Sequence, residues 1–171
     1  MTAPMPGGRR RIDRVLGEDF LLGITDADLD VLREKRADAE QEEVDLSYIR
    51  RLLQGRIDIV EAERERRSSG ATASLVDRLA EILADDDPTT TGSGRYLTTQ
   101  PSRVDEHRRT VEALVADVRI SDASSLSDEQ LDAAVRILRR NEQQVSDLRR
   151  QVQTVVDAIS EEVGRRVAAD A

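Results

Sequence analysis

Cysteine is absent from the chain, so neither a disulfide nor a thiolate metal site can form. Aromatic rings are nearly absent: Phe20, Tyr48 and Tyr96 are the only three, and there is no tryptophan. So few large apolar side chains argue against a deep globular core and for long solvated helices packed through narrow seams. His107 is the single histidine and stands among charged residues. One imidazole cannot anchor a metal site, and no metal is expected. Long apolar runs are missing as well, and no signal-peptide core follows the N-terminal arginines, so a cytoplasmic protein with no membrane partner is expected. No Walker loop, glycine-rich phosphate turn or kinase-type motif occurs, and no nucleophile–base pair stands out. An enzyme is therefore not expected.

What the chain does have is charge. Asp, Glu, Lys and Arg make up 36% of 171 residues, and the net charge is -9. That balance disfavours direct DNA binding, which needs a basic surface. It suits a partner that is itself basic, such as a protein that binds DNA. Lys35 is the only lysine, so arginine carries the positive charge.

The pattern along the chain predicts an all-α protein: a long antiparallel helical hairpin or coiled coil, with two shorter helices in the connection. Residues 1–20 hold prolines, glycines and Arg9, Arg10, Arg11 and Arg14, and read as a flexible basic arm. Residues 21–67 carry the first long helix, with Thr25 as the expected N-cap and a basic last turn of Arg64, Arg66 and Arg67. Residues 68–126 form the connector, with short helices near 73–84 and 102–119 and a mobile loop near 85–101. Residues 127–168 carry the last long helix, opened by Ser127 and Gln130 at capping-box spacing. Two long helices joined by a helical hairpin predict an out-and-back path, with a two-fold relation between equivalent stripes.

Those stripes are the strongest signal in the sequence. Glu-x3-Ser-x2-Arg-x3-Gln-x3-Asp occurs as Glu43, Ser47, Arg50, Gln54, Asp58 and again as Glu142, Ser146, Arg149, Gln153, Asp157, every member displaced by 99 positions. At 3.6 residues per turn the five side chains of one copy share roughly a quarter of the helix circumference. An apolar seam repeats beside them at the same displacement: Leu46, Ile49, Leu53, Ile57, Val60 and Val145, Leu148, Val152, Val156, Ile159. A solvated face with local ion pairs accounts for one copy. It does not account for Ser and Gln kept at fixed places in both.

The polar set suits a guanine nucleotide. Arginine offers a planar fork to guanine O6 and N7, aspartate accepts from the N1–H and N2 edge, and Ser, Gln and Arg donate to phosphate. Two equivalent stripes favour a ligand with two-fold symmetry, such as a cyclic dinucleotide. The competing class, a structural or adaptor coiled coil without nucleotide, accounts for the seams but not for the repeated Ser, Arg, Gln and Asp.

The doubled signature resembles that of RsiG, the cyclic-di-GMP-dependent anti-sigma factor family of sporulating actinobacteria, and matches it at all ten positions. The resemblance implies an antiparallel coiled coil that binds a cyclic di-GMP dimer, two nucleotides per chain, and in that form captures a WhiG-type, flagellar-class sigma factor, one chain per sigma factor. It further implies that Arg50, Asp58, Arg149 and Asp157 read guanine, and that Ser47, Gln54, Ser146 and Gln153 complete the phosphate and edge contacts. Glu43 and Glu142 would accept from a base edge or orient the arginines. Arg51 and Arg150 also repeat, either against phosphate or facing solvent.

Overall fold

The computed structural model describes residues 4–69 and 120–169. Four elements follow in order: a short helix α1 (Arg11–Val15), a long helix α2 (Leu29–Ser69), a 3-10 turn (Ile120–Ser125) and a long helix α3 (Asp128–Ala169). Among the described residues every regular element is helical. The expected short helices near 73–84 and 102–119 and the loop near 85–101 lie outside them.

The chain divides into two compact units. Among the described residues, the first holds 4–48 and 144–169, and the second holds 49–69 and 120–143. Each unit pairs a stretch of α2 with a stretch of α3, and in each the stretches run antiparallel. In the first, Glu43 meets Arg149, while the turn before α2 meets Arg166. In the second, Arg50, Arg64 and Arg67 meet Glu142, Asp132 and Asp128, so one helix ascends as the other descends. This is the antiparallel helical hairpin that the sequence predicts.

The seam holds each pair together. All ten predicted seam residues are buried. Leu131, Val135 and Leu138 extend the buried set in the second unit, and Leu32 and Ala39 in the first. Each fully buried Leu, Ile or Val contributes about 1.5–3 kcal/mol, so narrow seams suffice where aromatic residues are lacking. Two polar residues interrupt the buried row at the same 99-residue displacement: Glu42 and Asn141. Asn141 Nδ2 donates back to the Ile137 carbonyl at 2.8 Å.

The helix starts follow from caps and turns. Before α3 the capping box forms as expected. Ser127 N donates to Gln130 Oε1 at 2.8 Å, and Gln130 N donates to Ser127 Oγ at 3.3 Å. Helix α2 begins at Leu29, four residues beyond the expected cap Thr25. Gly23 takes the left-handed conformation, φ 69°, and its carbonyl accepts from Asp26 N and Ala27 N. That turn occupies the residues where the first helical turn was expected.

The N-terminal segment, read from sequence as a basic arm, has defined partners. Its α1 buries Ile12 and Val15. Asp13 organises the turn before it. Its carboxylate accepts from Met5 N at 2.8 Å, Arg10 N at 3.1 Å and the Arg10 guanidinium at 2.6 Å. The Arg10 side chain holds the Asp13 carboxyl down at about 2, aided by the Met5 and Arg10 backbone amides and opposed by burial. A side chain at Gly8 would bring its Cβ within 2.2 Å of Asp13 Oδ2, so only glycine fits. Arg11 then reaches α2, donating to Asp45 at 2.9 Å and lying 3.8 Å from Glu42. Arg14 pairs with Asp38 at 3.1 Å.

Candidate functional site

The two units divide the repeated polar residues crosswise. The first unit brings Glu43 and Ser47 of copy one beside Ser146, Arg149, Gln153 and Asp157 of copy two. The second brings Glu142 of copy two beside Arg50, Gln54 and Asp58 of copy one. Each unit therefore holds one Glu, Arg, Gln and Asp set drawn from both helices.

The joining contact is the same in both. Arg149 Nη1 donates to Glu43 Oε1 at 3.2 Å. Arg50 Nη1 lies 3.6 Å from Glu142 Oε1. The seam placement produces this reciprocity. Burying Leu46 and Ile49, or Val145 and Leu148, leaves the neighbouring stripe at the edge of the helix pair. Both glutamates are largely covered while both arginines remain partly open, with 40% of the Arg50 side chain and 30% of Arg149 exposed. Arg149 engages Glu43 by a single hydrogen bond, the Arg50–Glu142 ion pair is longer than a hydrogen bond, and Arg149 Nε is buried without a hydrogen-bond partner. Planar donor forks engaged at one point keep capacity for an anionic or planar acceptor.

The remaining motif residues have distinct settings. Gln54 Nε2 donates to Asp58 Oδ1 at 2.9 Å, one helical turn on. Gln54 and Asp157 are exposed, while Ser47, Asp58, Ser146 and Gln153 are half-buried. Arg51 and Arg150 are exposed, and Arg150 pairs with Asp147 at 2.7 Å. No cluster of metal-ligating residues occurs among the described residues.

Sequence reasoning missed a second constellation. Glu63 accepts from Arg66 Nε and Nη2 and from Arg67 Nε, all within 2.8 Å. Ninety-nine positions on, Glu162 accepts from Arg165 Nε and Nη2 and from Arg166 Nε, all within 2.9 Å. Both carboxyls are held down at about 2. The hydrogen bonds from Arg66 and Arg165 are the leading causes, and burial opposes them. The signal was in the sequence as Glu-x2-Arg-Arg at the repeat displacement, but a basic last turn explains those arginines without a partner.

A concavity of about 650 Å³ lies where α2 ends, lined by Glu61, Arg64, Arg67, Asp128, Asp132 and Arg139 among others. It contains no motif residue. Its three arginines each pair with a carboxylate of the same wall, so it offers an anion little uncompensated charge.

A family model described as RsiG-like matches residues 18–83 and 117–171, spans that contain both motif copies and both Glu-Arg-Arg clusters. The chain belongs to the RsiG-like family. As an RsiG-like protein it is a member of a family of anti-sigma factors, and a sigma factor is the partner that membership implies. The match starts after α1, so the segment that seats Arg11 on Asp45 lies outside the part shared with the RsiG-like model. Comparison with curated proteins gives no match. No described helix is long and apolar enough to cross a membrane.

Proposed function

We propose that this RsiG-like chain binds cyclic di-GMP, two nucleotides per chain, and in that form sequesters a WhiG-type sigma factor, blocking transcription initiation. The observation that carries the reading is the crosswise set. Each unit joins the glutamate of one motif copy to the arginine of the other, with glutamine and aspartate one and two turns further along. Arg50 and Arg149 read guanine or its phosphate by exchanging a single loose glutamate contact for two-point hydrogen bonds. Asp58 and Asp157 accept from the guanine N1 and N2 edge. Ser47, Gln54, Ser146 and Gln153 complete the contacts.

The donor chemistry fits the ligand. Two cyclic di-GMP molecules bring four negative charges, and the arginines supply charge together with a planar fork. Glu43 and Glu142 hold those forks in place while the site waits for ligand. The seams that an adaptor would use for self-association are buried within one chain.

Calorimetry with cyclic di-GMP tests the ligand, and a sigma-factor pull-down with and without nucleotide tests the partner. Two nucleotides per chain, lost in Arg50→Ala and Arg149→Ala, together with nucleotide-dependent capture, is the expected result. No heat at saturating nucleotide overturns the reading.

A further inference from the structure

The Glu-Arg-Arg clusters occupy equivalent places at the ends of the two long helices. Arg67, in the last turn of α2, holds Glu63 through Nε and turns the rest of its fork outward. Its Nη2 donates to the Ser124 carbonyl at 3.0 Å and reaches the Ala123 carbonyl at 3.5 Å, and its Nη1 pairs with Asp128 at 2.8 Å. These acceptors belong to the 3-10 turn and the first residue of α3. Arg166, near the end of α3, does the same to the turn before α2. Its Nη2 donates to the Ile24 carbonyl at 3.0 Å and the Thr25 carbonyl at 2.6 Å, and its Nη1 donates to the Ala27 carbonyl. Ile24 and Ala123 differ by the repeat displacement, as do Thr25 and Ser124. Each clamp lies wholly within one unit: Glu63 and Arg67 in the second, Glu162 and Arg166 in the first.

These contacts differ in kind from the motif contacts. Glu63 and Glu162 each accept three N–H groups from two arginines and are almost fully covered. A buried carboxylate with that many charged donors does not exchange them readily. Glu43 accepts one hydrogen bond from Arg149 at 3.2 Å, and Glu142 lies 3.6 Å from the Arg50 guanidinium. So each unit contains one saturated, closed contact and one loose, open contact, separated along the same helix by the 17 residues from Arg50 to Arg67 or from Arg149 to Arg166. An apolar seam of Leu, Ile and Val fixes which face is buried but tolerates axial slippage, because its knobs resemble one another. A slip of one helical turn keeps the seam face inward but moves a side chain about 5.4 Å along the helix, which would pull each motif arginine off its glutamate.

We propose that Glu63, Arg66 and Arg67 and their counterparts Glu162, Arg165 and Arg166 are positioning residues. They lock the end of each long helix to the turn that opens the other, and so set the register at which Arg50 meets Glu142 and Arg149 meets Glu43. The central arginine of each clamp needs a planar fork, because it serves a carboxylate on one side and backbone carbonyls on the other. A lysine keeps the charge and loses the geometry. The proposal rests on the nucleotide reading only for what the register serves.

The test uses the full chain, whose lack of cysteine leaves it free for spin labels. Label pairs at Arg51→Cys with Arg140→Cys report the second unit, and Tyr48→Cys with Gln151→Cys report the first. All four positions are exposed. Arg67→Lys should broaden the second unit's distance distribution, and by more than the first's, because the clamp it loosens lies in the second unit. Arg166→Lys should do the reverse. Affinity for cyclic di-GMP should fall on the order of tenfold in each, as for a site whose supporting contacts are loosened. A folded variant that melts earlier yet keeps both distances overturns the proposal and makes the clamps merely structural. A broadened distribution with unchanged affinity overturns the link to the site. If the unaltered chain fails to bind cyclic di-GMP, the nucleotide reading falls, and the distances alone decide the register.

Discussion

At the residue scale, two kinds of arginine–glutamate contact call for different behaviour on titration and substitution. Glu63 and Glu162 are both held at about 2, below the ordinary 4.5, first by hydrogen bonds from Arg66 and Arg165. Asp13 is held at about 2, below 3.8, first by Arg10. A carboxyl whose value is depressed in the folded chain contributes stability that is fully present above its ordinary value and is lost as pH falls toward the depressed one. Thermal melts by circular dichroism should therefore show constant stability above about pH 5 and a progressive decline toward pH 2. Glu63→Gln and Glu162→Gln should each lower the melting temperature at pH 7 and flatten that decline. An unchanged acid limb in the double variant would refute the assignment. The motif glutamates should behave otherwise. Glu142→Gln and Glu43→Gln remove the carboxylate beside each motif arginine at little cost in stability, since each contact is partly open. Calorimetry should show weaker cyclic di-GMP binding in those two variants, because the arginine forks lose the contact that holds them. Arg149→Ala should lose binding by about 100-fold, the cost of a charged hydrogen-bonded contact.

At the element scale, α1 supplies counter-charge to α2. Asp45 and Glu42 are almost fully buried, and Arg11 reaches both. Arg11→Ala should destabilise the chain by about 3 kcal/mol, the usual cost of breaking a buried ion pair. Arg11→Ala combined with Asp45→Asn should recover part of it, read by urea denaturation. Additive losses in that cycle would deny the coupling. This scale also shows how much the sequence made legible. The Ser127 cap and the ten seam positions could be read because a capping box and a repeating apolar face are local patterns. Ser127→Ala should accordingly cost about 1 kcal/mol. The segment Arg11–Val15 could not be read that way. Five helical residues next to glycines and prolines show no periodicity, and their burial is decided by Asp13 gathering its own turn and by acidic residues some thirty positions away. The start of α2 was displaced for a similar reason. The carbonyls of Ile24, Thr25 and Ala27 are claimed by Arg166, a tertiary contact invisible to any local window.

At the scale of the whole molecule, the chain is an RsiG-like protein whose two long helices satisfy each other's seams. The motif residues were legible as a doubled stripe; their pairing was not. No single copy states that its arginine will meet the other copy's glutamate, because that depends on which stretch of α3 lies beside which stretch of α2. If the nucleotide reading holds, ligand should raise the melting temperature of the whole chain in proportion to the logarithm of its concentration. Equal melts with and without cyclic di-GMP would count against it.

The crosswise sharing of the motif has a consequence for how the protein can fail. A chain cut short after α2 keeps a complete copy of the signature in its sequence, yet neither Glu-Arg pair survives, because each needs a residue from beyond the cut. A lesion that removes α3 therefore abolishes both sets at once. Truncation should cost both pairs together rather than one, and two separately made fragments, one bearing each long helix, should restore both when mixed.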